Sequence, residues 1–163
     1  MPSLMPGTPG TKEAYGIAVV SEAGCIAIPP KPMERYGLSD GDFVLLCTTH
    51  RGEGGLAILN KEKAENSVFG KYIGLMNQTD EVFYFNDKAY TLTQIRNGSV
   101  RLTPDMLSAY HLKINDRLMM VKSTTMAISY TPIEIWKEKF RKYGMDEAIE
   151  NMEKLEVFHV VYE

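Results

Sequence analysis

The chain has 163 residues, 44% of them hydrophobic, which suits one compact domain or two small intertwined ones. Its formal net charge of −3 excludes a global basic field that would attract nucleic acid or anionic lipid, although a local basic patch remains compatible with it. Cys25 and Cys47 are too few for a disulfide framework and lack metal-ligand spacing. No apolar run reaches membrane-spanning length, so we expect a cytoplasmic protein with no membrane partner.

The sequence contains an internal repeat, and the second copy of this repeat begins at Gly98. Residues 24–46 and 98–120 align without a gap, so that Gly24 corresponds to Gly98 and the same offset holds throughout. The positions of the first copy that recur identically in the second are Gly24, Pro30, Tyr36, Leu38 and Asp42. The apolar positions agree more fully than the identities do, which is typical of a duplicated fold unit because packing constrains volume more than residue type.

The repeat sets the expected organisation of the chain. The predicted segments are a disordered leader (1–13), a first repeat (14–64), a connecting segment (65–88), a second repeat (89–130) and a helical tail with a final strand (131–163). Each repeat is predicted to contain strand, tight turn, strand, short helix, strand, loop and strand. One such unit buries little surface alone, so the two halves are expected to complete one barrel. We therefore predict a mainly β fold with short helices (α+β), made of duplicated β-barrel halves plus C-terminal helices.

The segments outside the repeats carry clear local signals. A hairpin is predicted across Asn86-Asp87, with Phe83, Phe85 and Tyr90 in a core or interface. At the start of the tail, Thr131 is the predicted N-cap of a helix, followed by proline at N1 and glutamate at N3. The apolar stripe of this helix is Ile133, Trp136 and Phe140. Gly144 is predicted to end the helix, Asp146 to cap a second one, and a final strand to pair with its own sheet or with a neighbouring subunit.

The repeats resemble a known family of DNA-binding domains. The stretch AIPPKPMERYGLSDGDFVLL, residues 27–46, is similar to the AbrB/SpoVT-type swapped-hairpin domains, which are cradle-loop barrels, and LTPDMLSAYHLKINDRLMMV, residues 102–121, is similar more faintly. Two such units in one chain, each followed by a helix, resemble the layout of MraZ-like transcriptional regulators. The resemblance implies duplicated AbrB-like barrel halves in a transcriptional regulator that binds double-stranded DNA as a homo-oligomer. It implies neither a cofactor nor an enzymatic activity.

The basic residues of this family are largely replaced in this chain. In the DNA-binding relatives an arginine follows the turn glycine, whereas Cys25 and Ser99 stand there in this sequence. Strand alternation predicts that Cys25, Ala27, Ser99 and Arg101 face outward. The remaining candidates for contact with DNA are Arg96, Arg101, Lys31, Arg35, Arg51 and Lys113. Since Arg96 and Arg101 flank one turn and its outgoing strand, we expect the second repeat to contribute more than the first.

Two other interpretations stay open. Acidic residues among the candidate cations favour a module that has kept the fold, lost DNA binding and serves oligomerisation or protein interaction. A remote alternative is a pyruvoyl-type decarboxylase cleaved at Gly98-Ser99, because this turn is similar to the self-cleaving Gly-Ser bond of pyruvoyl-dependent aspartate decarboxylases. The three histidines have no spacing that indicates a metal site or a catalytic triad. We predict no catalytic residue, metal ligand or cofactor.

Overall fold

A computed structural model of the chain describes residues 14–49, 54–123 and 126–160. The strands are β1 (Ala14–Val19), β2 (Cys25–Ala27), β3 (Phe43–Thr48), β4 (Leu56–Asn60), β5 (Phe83–Phe85), β6 (Lys88–Gln94), β7 (Ser99–Arg101), β8 (Arg117–Lys122), β9 (Ala127–Pro132) and β10 (Val157–Phe158). The helices are α1 (Pro30–Arg35), α2 (Lys61–Glu65), α3 (Gly70–Ile73), α4 (Pro104–Ala109), α5 (Ile133–Lys142) and α6 (Asp146–Glu153). The predicted leader lies outside these residues. The predicted α+β fold is confirmed.

The sheet interleaves the two parts of the chain. Eight strands form one sheet in the order β10-β1-β8-β9-β4-β3-β6-β5, and β2 and β7 form a separate two-stranded ribbon. Strand β1 pairs with β8, and β6 pairs with β3, so each part of the chain lends its first long strand to the other. The starts of β1, β2, α1 and β3 correspond to those of β6, β7, α4 and β8 at one constant offset, the same offset that relates Gly24 to Gly98 in the sequence.

The described strands do not close into the expected barrel. The eight-stranded sheet has two edges, β10 and β5, and the ribbon strands pair with each other. The ribbon strands are three residues long. The ribbon instead lies against one face of the sheet, which we call the inner face.

Both faces of the central strands are buried. On β3, Val44 and Leu46 pack against the inner cluster that includes Ile26 and Val100 of the ribbon, whereas Leu45 packs into a cluster on the outer face. Strand β8 alternates in the same way between the inner cluster and a second outer cluster. Burial on both faces explains why these strands read as continuous apolar runs and not as alternating ones.

Helices cover the outer face in two places. One outer cluster receives α2, α3 and the β5–β6 hairpin, including the stacked rings of Tyr72 and Phe85, whose centroids are 4.8 Å apart. The other receives α5 and α6, with Trp136 and Phe140 packed on strands β1 and β8. The apolar stripe predicted for the tail helix therefore faces the sheet, and the predicted hairpin turn is confirmed, with Asn86 and Asp87 both at positive φ.

Two details of the tail differ from the sequence-based predictions. Thr131 is not the N-cap of α5, because it continues β9 and pairs with Met119; the helix begins at Ile133 with Pro132 as N-cap. Asp146 is the first residue of α6, with Met145 at the N-cap and no side-chain cap bond. The predicted final strand is confirmed and pairs with its own sheet: it is two residues long and runs parallel to β1. Gly16 makes room for it, since a Cβ there would lie 2.7 Å from the carbonyl oxygen of Glu156.

Candidate nucleic-acid interface

The ribbon carries the four residues predicted to face outward, but it buries two of them. Its register pairs Cys25 with Arg101 and Ala27 with Ser99. Arg101 is exposed, whereas Cys25 is 5% and Ser99 6% exposed, so the expectation of outward-facing side chains is wrong for these two. The Ser99 hydroxyl donates to the carbonyl oxygen of Arg96 at 2.9 Å, which satisfies this buried polar group.

The two turns that lead into the ribbon lie at its opposite ends. Turn 1, residues 21–24, precedes β2, and turn 2, residues 96–99, leads into β7. Since β2 and β7 are antiparallel and Arg101 stands opposite Cys25, Arg101 lies beside turn 1, which carries Glu22. Arg96 lies in turn 2, where it pairs with Ser99. The structure therefore separates Arg96 and Arg101, which the sequence suggested as one patch.

Interleaving brings Arg96 close to the first repeat. The amide of Ile28, just before α1, donates to the carbonyl oxygen of Gly98 at 2.8 Å, so α1 begins beside turn 2. The exposed Lys31 stands in the first turn of this helix. At the other end of the ribbon, the backbone amide of Leu102 donates to the carbonyl oxygen of Gly24 at 2.8 Å. The residue that corresponds to Lys31 in the second repeat is Asp105. Turn 2 thus carries the more basic end of the ribbon.

The other predicted cations are less clearly grouped. Arg35 is exposed in the last turn of α1, close to the acidic Glu34. Lys113 is exposed on the loop after α4, where its amide donates to the carboxylate of Asp116 at 2.8 Å. This loop lies at the turn 1 end of the ribbon, because the backbone amide of Asn115 donates to the carbonyl oxygen of Val20 at 2.8 Å. Arg51 lies outside the described residues.

Two residues that the sequence did not indicate complete turn 2. The amide of Gly98 donates to the carboxylate of Asp40 at 2.8 Å, and the guanidinium of Arg96 donates to the side-chain oxygen of Gln94 at 3.2 Å. Asp40 is 58 positions away in the sequence, so no local pattern could have identified it as a partner of this turn.

The buried titratable groups belong to the core. Burial raises the pKa of the Cys47 thiol to about 12, against a smaller opposing effect of Lys88. Burial also raises the pKa of Tyr110 and of Tyr130 well above the usual range. All three groups are neutral near pH 7, so the Cys47 thiol is not a thiolate nucleophile there. Ionic chemistry at neutral pH is left to surface side chains.

Gly98 and Ser99, the pair at the centre of the decarboxylase interpretation, sit in an ordered hairpin turn. The Gly98 carbonyl oxygen accepts a hydrogen bond from the backbone amide of Ile28, and the Ser99 hydroxyl donates one to the backbone carbonyl oxygen of Arg96. Within residues 14–49, 54–123 and 126–160 no three histidine, cysteine or acidic side chains cluster so that they could hold a metal ion. Across the same residues, every helix is too short or too polar to cross a membrane.

Comparisons of the chain with protein-family models, with curated proteins and with solved structures found no match.

Proposed function

We propose that this protein is a DNA-binding transcriptional regulator of AbrB/MraZ-like type that acts as a homo-oligomer, and that its two interleaved parts are duplicated AbrB-like units. Double-stranded DNA is contacted through phosphates at the turn 2 end of the ribbon, chiefly by Arg96 and Lys31. Arg101, Arg35 and Lys113 add weaker contacts, because Arg101 and Lys113 belong to the turn 1 end and Arg35 stands at the far end of α1 from turn 2. Base discrimination is small, since the ribbon offers few side chains that could read base edges.

The observation that carries this proposal is the interleaved topology at a constant offset. Each part donates a strand to the other, and each contains a turn that leads into the ribbon, as expected of swapped hairpins. Arg96 and Lys31 come from different parts of the chain and lie at the same end of the ribbon, because β2 pairs with β7 and Ile28 donates to Gly98. An oligomer would add several such weak patches on one duplex, which strengthens binding without any new contact.

A second candidate is a protein-interaction or oligomerisation module that does not bind DNA. The acidic side chains at the ribbon favour it: Glu22 lies in turn 1, Asp105 opens α4, and Asp40 contacts turn 2. A protein with this mixture of charges at both ends of the ribbon attracts a duplex weakly at physiological salt.

A salt titration of duplex binding distinguishes the two candidates. We expect the parent to bind unrelated duplexes, and the double variant Arg96→Gln with Lys31→Gln to lower the slope of log K against log salt by about two, roughly one per phosphate contact. A matched control is Arg141→Gln with Lys142→Gln, which removes the same charge from the exposed end of α5.

The control should leave the slope almost unchanged. No binding by the parent at the lowest salt would exclude the DNA-binding regulator and leave the interaction module. Sedimentation would then measure the self-association expected of that module. An equal loss of slope in both double variants would mean that the ribbon end is not the contact surface. The intact mass of the purified chain tests the decarboxylase, since cleavage at Gly98-Ser99 would yield two fragments.

A further inference from the structure

Turn 2 is tied to the opposite part of the chain by a connected set of hydrogen bonds. The Gly98 amide donates to Asp40 at 2.8 Å, and the Gly41 amide donates to the carbonyl oxygen of Ile95 at 2.8 Å. The Gln94 side-chain amide donates to the carbonyl oxygen of Gly41 at 2.9 Å. These bonds join the residues on both sides of Arg96 to one short loop, residues 40–41.

The Arg96 side chain is held by the same set. Gln94 is the last residue of β6 and Arg96 opens turn 2 two positions later, and a hydrogen bond joins their side chains. The guanidinium donates to the Gln94 oxygen at 3.2 Å, while the Gln94 nitrogen is fixed on Gly41. The side-chain nitrogen of Gln94 thus donates to the loop, while its side-chain oxygen accepts from Arg96 and orients the guanidinium. These two partners also assign the nitrogen and oxygen positions of the Gln94 amide.

Turn 1 has no equivalent arrangement among the described residues. In the alignment of the two repeats, Gln94 and Arg96 correspond to Val20 and Glu22, and Asp40 corresponds to Ile114. None of these side chains could provide both the acceptor and the cation. The network is therefore specific to the basic end of the ribbon and not a general requirement of this fold.

We propose that Gln94 is a positioning residue for Arg96, and that Asp40 positions the turn that carries it, so that the guanidinium is preorganised for a phosphodiester oxygen of duplex DNA. This inference rests on the proposed function. An arginine that is ordered before binding loses less conformational freedom when it meets a phosphate, so the affinity is higher for the same charge. The net charge of the surface is unaffected by Gln94, which separates its role from that of a charged contact.

A mutant cycle measures this role. We expect Gln94→Met to weaken duplex binding about 2- to 10-fold, the range for ordering one flexible side chain, with the salt slope unchanged. Arg96→Met should weaken binding and also lower the slope by about one. In the Arg96→Met background, adding Gln94→Met should have no further effect. The control is Gln78→Met, the same substitution at the other glutamine of the chain, which is exposed and should change nothing.

Asp40 is tested with two variants of equal charge. Asp40→Asn keeps an oxygen that accepts from Gly98, whereas Asp40→Ala loses it. We expect Asp40→Asn to bind duplex more tightly than Asp40→Ala, and hydrogen exchange of the Gly98 amide to quicken in Asp40→Ala alone. Equal affinity and equal exchange in the two variants would overturn the role of Asp40.

A measurement without nucleic acid tests the ordering of Arg96 separately from DNA binding. NMR relaxation of the Arg96 side chain should show greater mobility in Gln94→Met than in the parent. If the parent binds no duplex, the proposed function fails, and this measurement alone then shows whether Gln94 orders Arg96. If the parent binds but Gln94→Met leaves both affinity and Arg96 mobility unchanged, the positioning role is wrong while the proposed function stands.

Discussion

Individual buried polar residues fasten the layers of this molecule to one another. The Tyr130 hydroxyl, on β9 of the sheet, donates to the carbonyl oxygen of Ala27 on the ribbon at 2.8 Å. The Tyr110 hydroxyl, after α4, hydrogen-bonds Thr91 at 2.8 Å. Each bond satisfies a buried group that would otherwise be costly, and each joins segments far apart in sequence. These contacts help to fix where the ribbon ends lie, and thus where the candidate cations are presented.

The raised pKa of Cys47 predicts a loss of stability in alkali. Its thiol stays neutral in the folded protein up to about pH 12, whereas in the unfolded chain it ionises near its ordinary value of 9.0. The stabilisation is therefore complete below about pH 9 and is lost as pH rises toward 12, at up to about 1.4 kcal/mol per pH unit. Urea unfolding at several pH values should show a shallower fall between pH 9 and 10 for Cys47→Ala than for the parent. Parallel curves would contradict this assignment.

At the scale of elements, α5 shows how a helix closes the outer face of the sheet. Its stripe of Ile133, Trp136 and Phe140 is buried against β1 and β8, while Lys137 bridges to Glu153 of α6 at 2.8 Å. The hydrogen bond from Lys137 lowers the pKa of the Glu153 carboxyl, but the Glu153 side chain is 50% exposed, so solvent screens the pair and it adds little stability. Packing of the apolar stripe, and not the ion pair, holds the helix in place.

The stripe predicts unequal effects of substitution along α5. Trp136 is 7% exposed and its ring centroid lies 5.6 Å from that of Phe140. Trp136→Ala should lower the free energy of unfolding by about 3–5 kcal/mol, as expected for a large buried aromatic side chain. Trp136→Phe should cost less, since it keeps most of the ring and removes an indole N–H with no partner among the described residues. Chemical denaturation measures both variants.

The control for this series is Tyr143→Ala, at a side chain that is 60% exposed just after the helix. It should change the free energy of unfolding by less than about 0.5 kcal/mol. If Trp136→Ala were as stable as the parent, α5 would not be docked as described.

Sequence patterns predicted most of these elements because their signals are local. The glycine that follows α1 is an example: Gly37 has a φ of 65° and ends the helix as expected. The boundary at Thr131 was missed because a nonlocal partner, Met119, extends β9 through residues that favour a helix start. The burial of Cys25 and Ser99 was missed because alternation along a strand predicts which face a side chain is on but not what covers that face. Local chemistry therefore predicts an element better than its ends.

The whole molecule depends on an exchange that no single segment encodes. The sequence repeat predicted two similar units, but not that β1 would lie on β8 while β6 lies on β3. Pairing of β2 with β7 places Arg96 beside α1 and at the opposite end of the ribbon from Arg101, so the candidate site could be predicted as a set of residues but not as a surface. The contacts that decide it join residues as far apart as Asp40 and Gly98.

Interleaving predicts that neither half of the chain folds as a monomer. A cut in the segment between α3 and β5 would give a first fragment whose β1 lacks β8, and a second whose β6 lacks β3. Each fragment would expose a long apolar strand edge and a half-built inner cluster, because the strand that pairs with that edge lies in the other fragment. We expect each fragment alone to be unfolded or to self-associate, and an equimolar mixture to recover the far-ultraviolet circular dichroism and cooperative unfolding of the intact chain. The control is the intact chain with a protease site at the same position, which should keep its fold after cleavage. A folded monomeric half, observed by sedimentation and circular dichroism, would contradict the interleaved pairing itself.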